Sequence, residues 1–494
     1  MTPQPDPVPG PRPATPLRFR GGLPAAALPI VVFVAGAAWL GFSGAPDERG
    51  LWPVLLAAIG VGLVLARRPA DYGAAVIRGM SRPIVMLMVM AWLLAGVFSV
   101  LLRESGLVHA LVWAGGELGV RGGGFVLLAF LIAVLFSTAT GTSLGTILIC
   151  APLLYPAAGV LDAHPTLLIG AILAGATFGD NVSPVSDTTI ASASSQRAPM
   201  GGVVRSRLRY ALPAAAAAAL VLLALGGADV PPGAAGAAAS ATAEALATAS
   251  AGPAGQPGTL AGSPAALPML LAPLATFLML WGGRGLVESL FAGVASAVLV
   301  ALVSDLVAFS ELIHVDTDAF RAEGLILDGM ESAVGIVVFT ILLMGIVGAV
   351  QEAGILDRLV RDDGAASESP RRAELRIFGV TSAAVIVTTH SVMAILAVGD
   401  LVRKSGRRAG IGRFRRANLL DMTVCTYPFL FPFFIPTLLA SSATGSGAAF
   451  GVPRVTALAA GLANPYSWAL LAVIVAAILT GWGRTEQPTK KRRP

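Results

Sequence analysis

The sequence is poor in charge. Lys, Arg, Asp and Glu make up 13% of its 494 residues, against roughly 25% in a soluble globular chain. Lysine is nearly absent, with only Lys404, Lys490 and Lys491. Together with abundant alanine, glycine and arginine, this composition fits a GC-rich bacterial genome. There are two cysteines, Cys150 and Cys425, both within apolar stretches. They read as buried thiols and not as a disulfide. The chain has no Walker A run, no Cys/His metal spacing, no Gly-x-Ser-x-Gly elbow and no dinucleotide fingerprint. Nucleotide-driven, zinc, serine-hydrolase and nicotinamide chemistry therefore have no residues to carry them. No polar loop gathers catalytic groups, so the reading is a non-enzyme without cofactors. No signal peptide is read at the N-terminus.

Apolar residues are plentiful, at 55% of the chain. Runs of about 20 residues recur from Leu23 to Trp482, long enough to cross hydrocarbon as helices. The fold class is an all-α polytopic membrane protein. Residues 1–20 read as a disordered cytoplasmic N-terminus, 21–227 as a first transmembrane half and 265–482 as a second. Between the halves lies 228–264, a low-complexity Ala/Gly/Pro/Ser/Thr linker, expected to be external. Its charges are Asp229 and Glu244 alone, and it cannot bury a core. Residues 483–494 form a basic cytoplasmic tail.

Each half carries two polar interruptions. Ser137-Thr-Ala-Thr-Gly-Thr-Ser-Leu-Gly-Thr146 separates two apolar arms, each short for a span. This predicts a re-entrant hairpin over 124–160 with the hydroxyls at its tip. Phe178-Gly-Asp-Asn-Val-Ser-Pro-Val-Ser-Asp-Thr-Thr189 places two carboxylates, an amide, a glycine and a proline in an apolar segment. This predicts a broken helix over 165–193. In the second half, a hairpin over 377–401 centres on Thr388-Thr-His-Ser391, and a broken helix over 417–439 contains Asp421-Met-Thr-Val-Cys-Thr-Tyr-Pro428.

Charge sets the orientation. With the N-terminus inside and each hairpin returning to its own side, 29 of the 34 lysines and arginines fall inside; Arg49, Arg103, Arg121, Arg321 and Arg454 fall outside. The net charge of +6 thus reads as topology, with Arg403–Arg416 as an anchor, and not as nucleic-acid binding. Two halves with the same parts and opposite orientation predict an inverted-repeat transporter with two re-entrant hairpins and two broken helices. It is expected in a bacterial inner membrane with both termini cytoplasmic.

An intramembrane carboxylate is functional by default. Asp180 sits beside Gly179 and Asn181, with Ser183 and Ser186 a turn or so away. Carboxylate, amide, hydroxyl and backbone oxygens are what hard cations bind. The same carboxylate binds a proton. If the two ligands exclude each other while the site alternates its exposure, proton entry drives cation exit. A Na⁺ site at Asp180 is the resulting expectation, with Asp187 and Asp421 assisting and hydroxyls of Thr140, Thr142, Ser143 and Thr146 completing it. Asp187 and Asp421 also read as helix caps, and the hydroxyls as packing contacts. His390 reads as a pH sensor or proton carrier, or as a plain hydrogen-bonding group. The expected partners are sodium ions, protons and the lipid bilayer, with a homodimer left open.

At three of these motifs the sequence resembles the NhaC-type sodium/proton antiporters of the ion transporter superfamily. They are Thr140-Gly-Thr-Ser-Leu-Gly-Thr146, Phe178–Thr189 and Ala417-Asn-Leu-Leu-Asp421. The resemblance implies exchange of external protons for internal sodium, two re-entrant hairpins and a broken helix in each half. It also implies Asp180, Asn181, Ser183 and Asp187 as cation-site residues. Leu144 stands where relatives often carry an aromatic residue. Some relatives exchange organic acids, malate for lactate, coupled to sodium. That alternative needs a cationic group near the site; neither hairpin tip nor broken motif holds Lys or Arg, and only His390 is placed to serve. A non-transporting membrane scaffold would leave the two mirrored polar breaks unexplained.

Overall fold

The computed structural model describes residues 17–42, 48–184, 186–227, 264–316, 321–355 and 369–484. The expected linker, but for its last residue, and most of the terminal extensions lie outside these residues. The first half runs α1 (Gly22–Phe42), α2 (Leu51–Leu65), α3 (Pro69–Met80), α4 (Pro83–Glu104), α5 (Leu107–Glu117), α6 (Gly123–Thr140), α7 (Ser143–Leu154), α8 (Pro165–Val182), α9 (Asp187–Ser195) and α10 (Met200–Leu225). The second runs α11 (Leu271–Trp281), α12 (Leu286–Val303), α13 (Phe309–Leu312), α14 (Leu325–Glu352), α15 (Pro370–Thr388), α16 (Ser391–Arg408), α17 (Arg413–Val424), α18 (Ile435–Ala443), α19 (Ala457–Leu462) and α20 (Pro465–Thr480). Among the described residues, eight helical stretches are long and apolar enough to cross a membrane. Their outward faces expose large aliphatics such as Leu131, Leu135, Leu220 and Leu299, as lipid contact requires.

Local structure extends beyond the apolar runs. The basic stretch Arg67–Arg82 contains α3, started by Pro69 with its fixed φ and by Asp71 at the positive helix end. The acidic stretch Ser310–Asp328 carries local structure. It holds α13 and a small antiparallel ribbon, β1 (His314–Asp316) against β2 (Arg321–Glu323), with His314 opposite Glu323. The last apolar segment is two helices, because Pro465 starts α20 afresh and the Asn464 side chain caps it, accepting from the Ser467 N–H at 3.1 Å. Leu17–Arg20, read as the end of a disordered N-terminus, instead lies along α2. Phe19 is buried, and the Arg20 N–H donates to the Leu65 carbonyl at 2.8 Å.

The centre of the molecule is α8, whose residues are all buried from Leu168 to Val182. Small residues let its neighbours close in. A Cβ on Gly179 would lie 2.3 Å from the Ser137 Cβ of α6, and the Ser137 hydroxyl donates across the same contact to the Ala176 carbonyl at 2.8 Å. The second close seam joins α4 to α14, where a Cβ on Gly96 would meet the Gly329 carbonyl at 2.2 Å. Such small-residue contacts are how helices associate where water supplies no driving force.

Four helix breaks surround this core. Gly141, at φ 70°, ends α6, and Thr142 starts α7 by capping the Gly145 N–H at 3.1 Å. Ser183–Ser186 separate α8 from α9. Thr389, at φ 50°, separates α15 from α16. Between α17 and α18 the chain runs irregularly from Cys425 to Phe434 around Pro428 and Pro432. The two helices of the first break pack on each other, as do those of the third.

Candidate functional site

The last turn of α8 carries Asp180-Asn181, and the chain turns out of the helix at Ser183, whose N–H still reaches the Gly179 carbonyl at 2.7 Å. Asp180 is 8% exposed. Each of its carboxylate oxygens takes a hydroxyl from a different element: Ser143 of α7 donates to Oδ2 at 3.0 Å, and Ser186 donates to Oδ1 at 2.5 Å. Thr188 of α9 lies 3.0 Å from the Ser186 hydroxyl and donates to the Asp180 carbonyl at 3.3 Å. Among the described residues no Lys or Arg pairs with this carboxylate. A buried carboxylate held by neutral donors alone is costly until it takes a proton or a cation.

Asp421, on α17, has a different environment. Arg207 of α10 lies 3.0 Å from its Oδ1, and both side chains are fully buried. Ser192 donates to Oδ2 at 2.9 Å, and the Asn181 amide approaches Oδ1 at 3.4 Å. The Arg207 guanidinium also donates to the Asn181 carbonyl, to Thr189 Oγ1 at 2.8 Å and to Asn418 Oδ1 at 3.2 Å. It thereby ties both ends of the α8–α9 break to α17. The sequence counts Arg207 among topology charges and has no Lys or Arg within the broken motifs themselves; the structure brings Arg207 to the break from α10. Arg207 falls on the one buried stripe of α10, with Val203, Tyr210, Ala211 and Ala214. That helical spacing distinguished it from Arg205 and Arg209.

A cavity of about 350 Å³ opens beside Asp180. It brings together Thr140, Thr142, Ser143, Asp180, Asp187 and His390 of the expected set. The tips of the first and third breaks therefore face one space. Asp187 is exposed at the start of α9. His390 is half-buried, with Nδ1 unpartnered among the described residues. Asn181, Ser183 and Asp421 lie outside the cavity wall, in the buried network behind it. Thr140 and Thr146 spend their hydroxyl protons within the first break, on the Phe136 carbonyl at 2.8 Å and the Thr142 carbonyl at 2.7 Å, which leaves oxygen lone pairs. Sequence reasoning missed Thr188 and Arg284 in the cavity wall; Arg284 follows the end of α11 and no local pattern marks it.

A buried carboxylate facing a cavity, and a second paired with an arginine behind it, both at helix breaks inside a bundle of apolar helices, define a polytopic membrane protein organised as an ion transporter. The chain belongs to the Na⁺/H⁺ antiporter family, whose model matches residues 21–227 and 258–481. It is 29% identical over 187 residues to a malate-2H⁺/Na⁺-lactate antiporter of Bacillus subtilis, over 37% of this chain and 39% of that protein. A protein of Haemophilus influenzae is 37% identical over 100 residues, 20% of this chain and 19% of that one. The chain thus spans well under half the length of these relatives. The YdaH transporter of Alcanivorax borkumensis, a solved structure described as having an unusual topology, aligns with 92% of this chain and 99% of its own at 15% identity and a TM-score of 0.39.

Proposed function

We propose that the chain is a secondary antiporter exporting sodium ions in exchange for protons across a bacterial inner membrane, with Asp180 as the carboxylate both ligands share. One observation carries this reading. Of the two carboxylates buried at the helix breaks, Asp421 is neutralised by Arg207, whereas Asp180 has, among the described residues, hydroxyl donors only and faces the cavity. Asp180 is therefore the one that needs a mobile cation. With a proton, it is a neutral acid among hydroxyls. With sodium, the Ser143 and Ser186 hydroxyls rotate their lone pairs to the ion beside the carboxylate, as oxygen-only hard-cation sites require. The two states exclude each other, so the proton gradient drives sodium out. Asp187 draws cations into the cavity, and His390 passes protons at its wall. Asp421 and Arg207 act as positioning residues that hold the break in shape through Asn181 and Ser192. In this reading α6–α7 and α15–α16 are the re-entrant hairpins of two inverted halves, both termini are cytoplasmic, and Arg284 marks the inward mouth.

The test is fluorescence dequenching in everted vesicles with an imposed pH gradient. Sodium should dequench the wild type, and Asp180→Asn should abolish the response while eluting and unfolding like the wild type. Wild-type exchange in that variant would remove the assignment.

A second reading, sodium-coupled organic-acid exchange, is favoured by Arg284 and His390 in the same cavity wall, groups that can hold a substrate carboxylate. The name of the Bacillus relative describes that activity for that protein. Dequenching by malate or lactate with sodium, and none by sodium alone, would select it.

A further inference from the structure

A second cavity, of about 300 Å³, lies end to end with the first. Three elements show the stacking. Along α4, Met88, Ala91 and Trp92 line the Asp180 cavity, and Trp92, Ser99 and Arg103 line the other. Along α7, Ser143 faces the first, Pro152 the second and Leu148 both; along α18, Ile435 faces the first and Leu439 the second. At the rise of a helix, Arg103 stands roughly 16 Å beyond Trp92. The two cavities thus occupy opposite ends of one axis and meet at Trp92 and Leu148, which are almost fully buried.

The lining of the second cavity has a distinct chemistry. Arg49 before α2, Arg103 at the end of α4 and Arg454 before α19 converge on it, and among the described residues no Asp or Glu lines it. Arg103 shares its Nε with Glu104 at 2.7 Å, whereas Arg49 and Arg454 have no ion-pair partner among the described residues. These are three of the five arginines that charge placement assigns to the outer face. Three guanidiniums from three separate elements around one concavity repel one another unless an anion sits between them. Their planar forks match the paired oxygens of a carboxylate or phosphate.

We propose that this cavity is a binding site for a small oxyanion, a carboxylate or phosphate, at the opposite end of the axis from Asp180. The site is separate from the cation site and does not depend on what Asp180 binds.

The test uses the purified full-length protein in neutral detergent, titrated calorimetrically with inorganic phosphate and with succinate at constant ionic strength, with chloride as control. Saturable one-to-one binding of phosphate or succinate is expected, with none of chloride. Arg103→Gln or Arg454→Gln should weaken it about tenfold, and Arg121→Gln, outside the cavity, should leave it unchanged. A second readout avoids dependence on these variants: in Ser99→Cys, the bound anion should slow labelling by a thiol reagent. Repeating the titration in phosphatidylcholine and phosphatidylglycerol nanodiscs separates the sources. Binding lost only in phosphatidylglycerol assigns the site to a lipid phosphate, and binding in both assigns it to a soluble anion. Two results would overturn the proposal. One is absence of saturable binding in detergent. The other is binding, and protection of the Ser99→Cys thiol, that persist when Arg103→Gln and Arg454→Gln are combined.

Discussion

Asp180 and Asp421 occupy comparable breaks, and their neighbours set them apart. Asp180 is held by the Ser143 and Ser186 hydroxyls, Asp421 by a buried guanidinium. Removing one partner of a buried ion pair strands the other, at a cost of about 3–5 kcal/mol. Asp421→Asn and Arg207→Gln should therefore each lower the thermal midpoint of the detergent-solubilised protein strongly. The double variant should be more stable than the sum of the singles, because neither charge is then left alone. Strictly additive losses would show that the pair is not coupled. Asp180 was legible in sequence because a carboxylate in an apolar run stands out. Arg207 was not, because it sits in a row of surface arginines and only its place on the α10 stripe separates it from them.

At the scale of elements, the breaks follow local chemistry. Gly141 takes the left-handed conformation that ends α6, and Thr142 supplies the cap that starts α7. These positions were readable because glycine and hydroxyl residues compete with helical hydrogen bonds. The fit of α8 against α6 was not readable, since it depends on what faces each glycine. Gly179→Ala would drive a Cβ to 2.3 Å from Ser137 and part the two helices beside Asp180. Overpacking of this kind costs about 1–3 kcal/mol, so a clear fall in the thermal midpoint and loss of exchange are expected. Gly201→Ala, where a Cβ meets nothing, should leave both unchanged. Equal effects at the two glycines would discount the close approach.

At the scale of the whole molecule, a buried charge cluster joins distant parts of the chain. Glu374 of α15 is fully buried and takes Arg415 of α17 at 3.0 Å and Arg484, beyond α20, at 2.7 Å. Arg415 also donates to the Tyr210 hydroxyl of α10 at 2.8 Å. The basic stretch Arg403–Arg416, read as a topology anchor, is thus also a structural clamp at Arg415. Glu374→Gln leaves a buried guanidinium uncompensated, and a loss of about 3–5 kcal/mol is expected. Arg484→Gln, where the side chain is 22% exposed, should cost nearer 1 kcal/mol. Thermal unfolding of the two variants side by side checks the order, and a larger effect at Arg484 would contradict it.

The membrane class, the family, the positions of the helix breaks and the place of Asp180 at one of them were all readable from the chain. Hydrophobic run length, glycine and proline placement, and a carboxylate where hydrocarbon is expected are local properties. Which carboxylate is neutralised, which residues share the cavity and which arginines converge on the second one emerged with the folded arrangement. Those are relations between elements far apart in the chain: Arg207 meets Asp421 across 214 positions, and Glu374 meets Arg484 across 110. Their partners are chosen by packing, which brings together side chains that no spacing along the chain connects.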